Sequence, residues 1–350
     1  MQLNVQKAQR NQSMEVCKLI ASFFVVFIHA PFPLPWGPMV DCLATFAVPM
    51  FFMITGYFNY GADCAALKRR TVHIVKLLVI GTMVHILYAC VVTELEGGST
   101  IAYLRAAIPD PDEVVRWIVL HIHPYAGHLW YLNATIAVYL CFWGYTRFFG
   151  EKQVNYRGFY TLCLNLFVIC FLFAVVEPAM DNEFPALSCR NGWFFGLPMF
   201  GIGLFLREHQ QQIADAFRPT TGKLLAVIFG GAAFSLLQWY AVGIGLIPFG
   251  MLIMVPALML LMASHPSVPV RRKWAVGVVN SCGALSTWIY IFHLMVCLAY
   301  DQYVKPVLAA ARPELEHWLF PLVVLGVSFA LAVCAVWVQS CVKRIFGKKR

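Results

Sequence analysis

The chain has 350 residues, 60% of them hydrophobic and only 12% charged, with a formal net charge of +9 and a mean hydropathy of +0.70. A water-soluble domain carries about 25% charged residues, so this composition excludes a protein that faces water on all sides. The basic residues sit in short clusters between apolar runs rather than along one polar face, which argues against a nucleic-acid partner and assigns them to membrane topology.

The polar start, residues 1–13, runs into a full-length apolar segment without a small-residue cleavage site, so no removed signal peptide is expected. A membrane-crossing helix needs about 20 mostly apolar residues. Ten segments approach that length, at 16–32, 40–58, 72–92, 129–149, 159–176, 193–206, 224–242, 245–263, 283–300 and 319–342. The sixth is short, and the seventh and eighth are divided only by a Gly-rich turn around Gly243. The expected fold is an all-α integral membrane protein with about ten transmembrane helices, forming a single membrane domain over residues 1–350.

Charge sets the expected orientation. With the N-terminus inside, every basic residue except Arg105, Arg116, Arg190, Lys305 and Arg312 falls on the cytoplasmic side or at a cytoplasmic helix end. The acids Glu94, Glu96, Asp110, Asp112, Glu113, Glu314 and Glu316 fall in outer loops. This bias predicts both termini in the cytoplasm, the last being the basic tail 343–350. Most of the twelve cysteines lie inside apolar runs, where cysteine behaves as a small hydrophobe. Cys42, Cys90 and Cys189 lie near outer loops and leave one disulfide open.

Ionisable groups at bilayer depth are costly and mark function by default. In the first segment Glu15, Lys18, Ser22 and His29 recur at helical spacing, and at about 100° per residue Lys18 and His29 lie within about 20° of each other around the axis. Eleven residues at about 1.5 Å each put His29 roughly 16 Å beyond Lys18, towards the outer leaflet. Two ordinary explanations stand beside the functional one: Lys18 reaching back to pair with Glu15 at the interface, and His29 making a helix-packing hydrogen bond.

Ser286, Tyr290 and His293 share a face of the ninth segment at spacings of four and three. The fourth opens with Gly127-His128-Leu129-Trp130-Tyr131-Leu132, where Trp130 and Tyr131 also suit an interfacial aromatic belt. Arg190 and Asn191 precede the sixth, as an anion contact or a helix cap. His121-Ile122-His123 has a spacing that suits a strand, and no Asp, Glu or Cys nearby completes a zinc site with these histidines and His128, so no metal is expected. No Walker loop, HExxH or GxSxG motif stands in a suitable context.

These residues, in this order, resemble the acyltransferase-3 family of bacterial membrane acyltransferases. Glu15 and Lys18-x10-His29 are similar to its first-helix signature, usually Arg-x10-His. Phe52-Met53-Ile54-Thr55-Gly56-Tyr57 is similar to its Phe-x-Ile-Ser-Gly-Tyr ending. The basic run Lys68, Arg69 and Arg70, the His128-Leu129-Trp130 opening, the stretch from Arg190 to Pro198 and the ending from Ser286 to His293 follow in family order. Two positions depart: Lys18 stands where arginine is usual, and His73 where many members have the second arginine of Arg-x-x-Arg.

The resemblance implies a stand-alone membrane O-acyltransferase of the bacterial inner membrane, similar to O-acetyltransferases of surface polysaccharides and enterobacterial common antigen. The implied donor is acetyl-coenzyme A, and the acceptor a hydroxyl of a lipid-linked or extracytoplasmic glycan. Lys18 with Lys68, Arg69 and Arg70 would contact the donor phosphates, with Glu15, Ser22, His128, Trp130 and Arg190 also in the substrate site. A sugar hydroxyl needs a base to attack a thioester. His29 is the expected base, or else a transient acyl carrier, with His293 and Tyr290 orienting it or stabilising the oxyanion. The competing expectation is a proton-coupled transporter using Glu15, Lys18 and His29 as a relay, with His85 and His293 on the same path.

Overall fold

The computed structural model of the chain describes residues 11–150, 154–176, 191–218, 220–242, 248–270 and 272–346. The described residues contain helices and no strand. In chain order the helices are α1 (Gln12–His29), α2 (Trp36–Ala44), α3 (Ala47–Asn59), α4 (Cys64–Leu95), α5 (Thr100–Ala106), α6 (Pro111–Val115), α7 (Trp130–Phe149), α8 (Tyr156–Val176), α9 (Leu197–Glu208), α10 (Gln210–Phe217), α11 (Thr221–Val242), α12 (Phe249–Ser264), α13 (Lys273–Ala299), α14 (Lys305–Ala311) and α15 (Pro313–Phe346).

Each apolar segment is mostly helical where it is described, although 30–32 lie past the end of α1 and a turn at 45–46 divides 40–58 into α2 and α3. Among the described residues six stretches are long and apolar enough to cross a membrane: Gln12–His29, Trp36–Asn59, Cys64–Leu95, Thr221–Ala241, Ala275–Ala311 and Pro313–Ile345. Tyr156–Leu172 and Phe249–Ser264 are apolar but shorter. The outer faces carry exposed apolar side chains such as Val72, Val79, Met83 and Leu87 on α4 and Leu322, Val333 and Trp337 on α15. Water would penalise such faces, whereas lipid solvates them. The turn around Gly243, Arg190, Cys189, Arg271, residues 1–10 and the end of the tail from 347 lie outside the described residues.

Short polar residues start the helices where their N–H groups would otherwise lack partners. Asn11 accepts from the Met14 N–H at 3.0 Å, Asp63 from Ala66 at 2.6 Å, and Asp110 and Glu113 form a reciprocal capping box at α6. Asn191 caps the π-helical turn Gly192–Gly196 by accepting from Trp193 and Phe194, which is the capping role open to it in the sequence. The spacing of His121-Ile122-His123 falls on no strand, in keeping with the all-α expectation. A π-helical turn, Arg116–Leu120, ends there, and His121 closes it at φ +63° in the left-handed region.

The chain forms two compact units, Met1–Phe51 with Ala216–Arg350, and Phe52–Asp215. In the first, α1 and α13 run parallel in constant register. Ser286 Oγ donates to the Lys18 carbonyl at 2.9 Å and Cys297 Sγ to the His29 carbonyl at 3.9 Å, both pairs 268 residues apart. Elsewhere in that unit Cys42 Sγ donates to the Ser235 carbonyl at 3.4 Å. Cys42 and Cys90 are free thiols.

In the second unit α4 and α7 run antiparallel, with Cys64 beside Thr146 near one end and His85 beside His128 near the other. Gly56 and Gly203 let α3 and α9 cross in backbone contact: a Cβ on Gly56 would strike the Phe200 carbonyl, and one on Gly203 the Met53 carbonyl. Helices in lipid associate by such close packing, since apolar surface alone does not distinguish a neighbour from a lipid tail.

Candidate active site

The first unit joins the polar residues of α1 to those of α13. Lys18 Nζ donates to Glu15 Oε1 at 3.0 Å, and both side chains are partly buried. This is the pairing that snorkelling would give, and it holds the ammonium on the helix surface at the Glu15 end. Gly283 of α13 faces it so closely that a Cβ would overlap the Glu15 carboxylate. The Ser22 hydroxyl turns back onto its own helix, donating to the Leu19 carbonyl at 2.7 Å.

Farther along the same seam the two histidines expected to act together are neighbours. The rings of His29 and His293 lie 5.1 Å apart, centroid to centroid. His29 ends α1 and is exposed, whereas His293 is completely buried. Nδ1 of His293 faces the carbonyls of Tyr290 at 2.8 Å and Ile289 at 3.3 Å. A carbonyl only accepts, so Nδ1 carries the proton and Nε2 is an acceptor. The Tyr290 ring is 6.0 Å from that of His293. The seam thus sets an exposed imidazole beside a buried one whose Nδ1 is engaged by backbone carbonyls.

The second unit distributes its candidates differently. Lys68 and Arg69 are exposed near the start of α4. Arg70 instead points at the end of α3, donating to the Phe58 carbonyl at 3.0 Å and to Asn59 Oδ1, where a cation meets the negative end of the helix dipole. The basic run is therefore split between two exposed cations and one structural clamp. His128 is buried, 4.9 Å from His85 by ring centroids, and Trp130 beside it is half-buried.

The loop histidines serve the backbone. His123 Nδ1 accepts from the Tyr125 and Ala126 N–H groups and its Nε2 faces Thr82 Oγ1 at 2.9 Å. His121 Nδ1 accepts from the Gly192 N–H at 3.3 Å. Burial holds both imidazoles down, to about 4, with His85 adding to the effect at His123. Among the described residues no group of three His, Cys, Asp or Glu is placed to hold a metal. Sequence reasoning missed Gly283, although it continues the face of Ser286, Tyr290 and His293 one turn earlier, and it gave His85 only to the transport path.

Helices of this apolarity define a multi-pass membrane protein, in which α1 and α13 bring the rings of His29 and His293 together. A family model described as an acyltransferase domain, that of the acyltransferase-3 family, matches residues 11–338, so the chain belongs to the acyltransferase-3 family. Comparison with curated proteins and with solved structures gives no match.

Proposed function

We propose that the protein is an O-acyltransferase with ten membrane spans and both termini in the cytoplasm of a bacterial inner membrane. It moves an acyl group, acetyl in the first instance, from cytoplasmic acyl-coenzyme A to a hydroxyl of a lipid-linked or extracytoplasmic glycan. The observation that carries this reading is the pairing of His29 with His293 on the α1–α13 seam, whose other end holds Glu15 and Lys18. The parallel course of α1 and α13 supports the span count, in which they are the first and ninth crossings and point the same way. No observation favours the transport reading.

His29 removes the proton of the acceptor hydroxyl as its oxygen bonds to the thioester carbonyl carbon. The carbon–sulfur bond then breaks, its electron pair leaves on the coenzyme A sulfur, and a proton equivalent to the one His29 took completes the thiol. His293, its Nδ1–H engaged by the Tyr290 carbonyl, offers Nε2 to orient the outer ring, and Tyr290 lies on the same side. Lys18, Lys68 and Arg69 are assigned to the donor phosphates, and Arg70 ties the start of α4, which carries Lys68 and Arg69, to the end of α3. His128 and Trp130 are assigned to the acceptor, together with Arg190. Membranes containing the protein should release coenzyme A from acetyl-coenzyme A only when a crude glycan acceptor is present, with succinyl-coenzyme A as the comparison. Release that is independent of acceptor, or none from either donor, would overturn the proposal.

A further inference from the structure

In the second unit α8 and α9 leave a groove of about 250 Å³ whose walls include Tyr160, Cys163, Leu164 and Phe167 of α8 and Gly201 and Phe205 of α9. The helices run antiparallel along it. Cys163 Sγ donates to the Leu197 carbonyl at 3.3 Å, and one turn earlier on α8 Tyr160 Oη donates to Glu208 Oε2 at 2.6 Å, at the other end of α9. Phe205 packs edge-on to Tyr160 with ring centroids 5.5 Å apart. The groove is therefore apolar along the helices and opens at one end on a carboxylate. At that end the apolar run of α9 gives way to Arg207, Glu208 and His209 and then to Gln210, Gln211 and Gln212 of α10. Charge is costly at bilayer depth, so this is the level of the lipid headgroups.

The polar end fits a cation. Tyr60 and Tyr156 lie 4.8 Å apart by ring centroids, and Tyr156 and Tyr160 6.3 Å, so three tyrosine rings run in sequence up to Glu208. Aromatic faces attract an ammonium, and a carboxylate accepts its N–H groups. The nearest cation on α9 is turned elsewhere: Arg207 Nη1 donates to Tyr57 Oη at 3.0 Å and to Gln210 Oε1 at 3.1 Å, with its guanidinium over the Tyr57 ring at 5.1 Å. His209 Nδ1 lies 3.7 Å from the Glu208 carboxylate but 3.1 Å from the Phe205 carbonyl, and its ring stacks on Phe205 at 4.2 Å. Arg157 is exposed at the start of α8, seven residues before Leu164 and so within about 20° of it around the axis. An interfacial aromatic belt needs no acid. An acid, a tyrosine wall, an arginine and an apolar slot together match a bilayer phospholipid with an ammonium headgroup, the ammonium on Glu208, the phosphate on the Arg157 side and an acyl chain along the groove.

We infer that the α8–α9 groove holds a phospholipid with a primary ammonium headgroup, recognised by Glu208 beside Tyr60, Tyr156 and Tyr160. The test titrates the full chain, purified in detergent and stripped of lipid, with phosphatidylethanolamine, phosphatidylcholine and phosphatidylglycerol of identical acyl chains, and reads the first bound lipid by native mass spectrometry. Phosphatidylethanolamine should bind about tenfold more tightly than phosphatidylcholine, whose quaternary ammonium has no N–H to give the carboxylate, and more tightly than the anionic phosphatidylglycerol. Glu208→Gln keeps an acceptor for the Tyr160 hydroxyl but no charge, and should abolish the preference. Leu164→Trp fills the groove from a position that is 61% exposed. It should weaken phosphatidylethanolamine binding about tenfold, and it carries the test if Glu208→Gln expresses poorly. Equal binding of the three lipids overturns the inference, as does a preference that survives both changes. A dimer that Leu164→Trp abolishes, with no lipid preference, also overturns it and assigns the groove to a second copy of the chain. The lipid is neither acyl donor nor acceptor, so failure here leaves the acyl-transfer proposal standing.

Discussion

The Ser286 hydroxyl donates to the carbonyl of Lys18 at 2.9 Å, binding α13 to α1 at the level of the Glu15–Lys18 pair. One turn earlier Gly283 meets Glu15, and in the same register Cys297 meets His29. One parallel seam thus controls both ends of the candidate site.

Gly283→Ala should displace the Glu15 carboxylate and with it the Lys18 ammonium. Misplacement of about 1 Å can cost roughly 10²-fold in rate, so turnover should fall by up to that order while the protein inserts normally. Glu15→Asp retracts the carboxylate by one methylene and should partly restore the Gly283→Ala enzyme. Additive losses in the double variant would show that the two residues act independently.

His29→Ala should lower turnover by about 10² to 10⁴, the usual contribution of a general base. His29→Gln keeps a hydrogen-bonding side chain but takes no proton near neutral pH, so it should be equally impaired. Because His29 is exposed at the end of its helix, neither change should lower expression. Substantial activity in His29→Gln would move the base to His293.

The basic run should separate into two classes. Lys68→Ala and Arg69→Ala should raise the Michaelis constant for the acyl donor with little effect on thermal stability. Arg70→Ala removes charged hydrogen bonds from the end of α3 and should cost about 1.5 to 3 kcal/mol of stability. Donor kinetics and thermal unfolding of the three variants distinguish these outcomes, and an unstable Lys68→Ala with a normal Arg70→Ala would reverse the assignment.

The loop histidines make stability depend on pH. Burial lowers His121 and His123 from 6.5 to about 4, so the unfolded chain binds more protons than the folded one between those values. Their contribution is complete above about pH 6.5 and is lost as pH falls towards 4, with each group adding a slope of up to about 1.4 kcal/mol per pH unit. The melting temperature in nanodiscs should fall over that window, and His123→Asn should flatten the fall. A profile unchanged in the variant would remove His123 from the cause.

Topology is open to reporters. A fusion after Arg350 should report the cytoplasm, and one within residues 96–99, just past α4, the outside. Opposite signals at either position would invert or re-count the crossings.

Hydropathy alone marked the apolar segments, because lipid demands continuous apolar surface and internally satisfied backbone, which a linear pattern displays. The Lys18-x10-His29 stripe was equally legible, since helical spacing puts both side chains on one face whatever that face meets. The tertiary structure alone decided what it meets. Lipid solvates every apolar helix face alike, so a sequence pattern does not say which faces pair. The constant register that sets His29 beside His293, the bare Gly283 under Glu15 and the burial of His85 beside His128 all depend on backbones far apart in the chain coming within contact distance, and the engagement of Arg70 by the α3 end on the turn between α3 and α4. A one-dimensional periodicity carries no record of those distances.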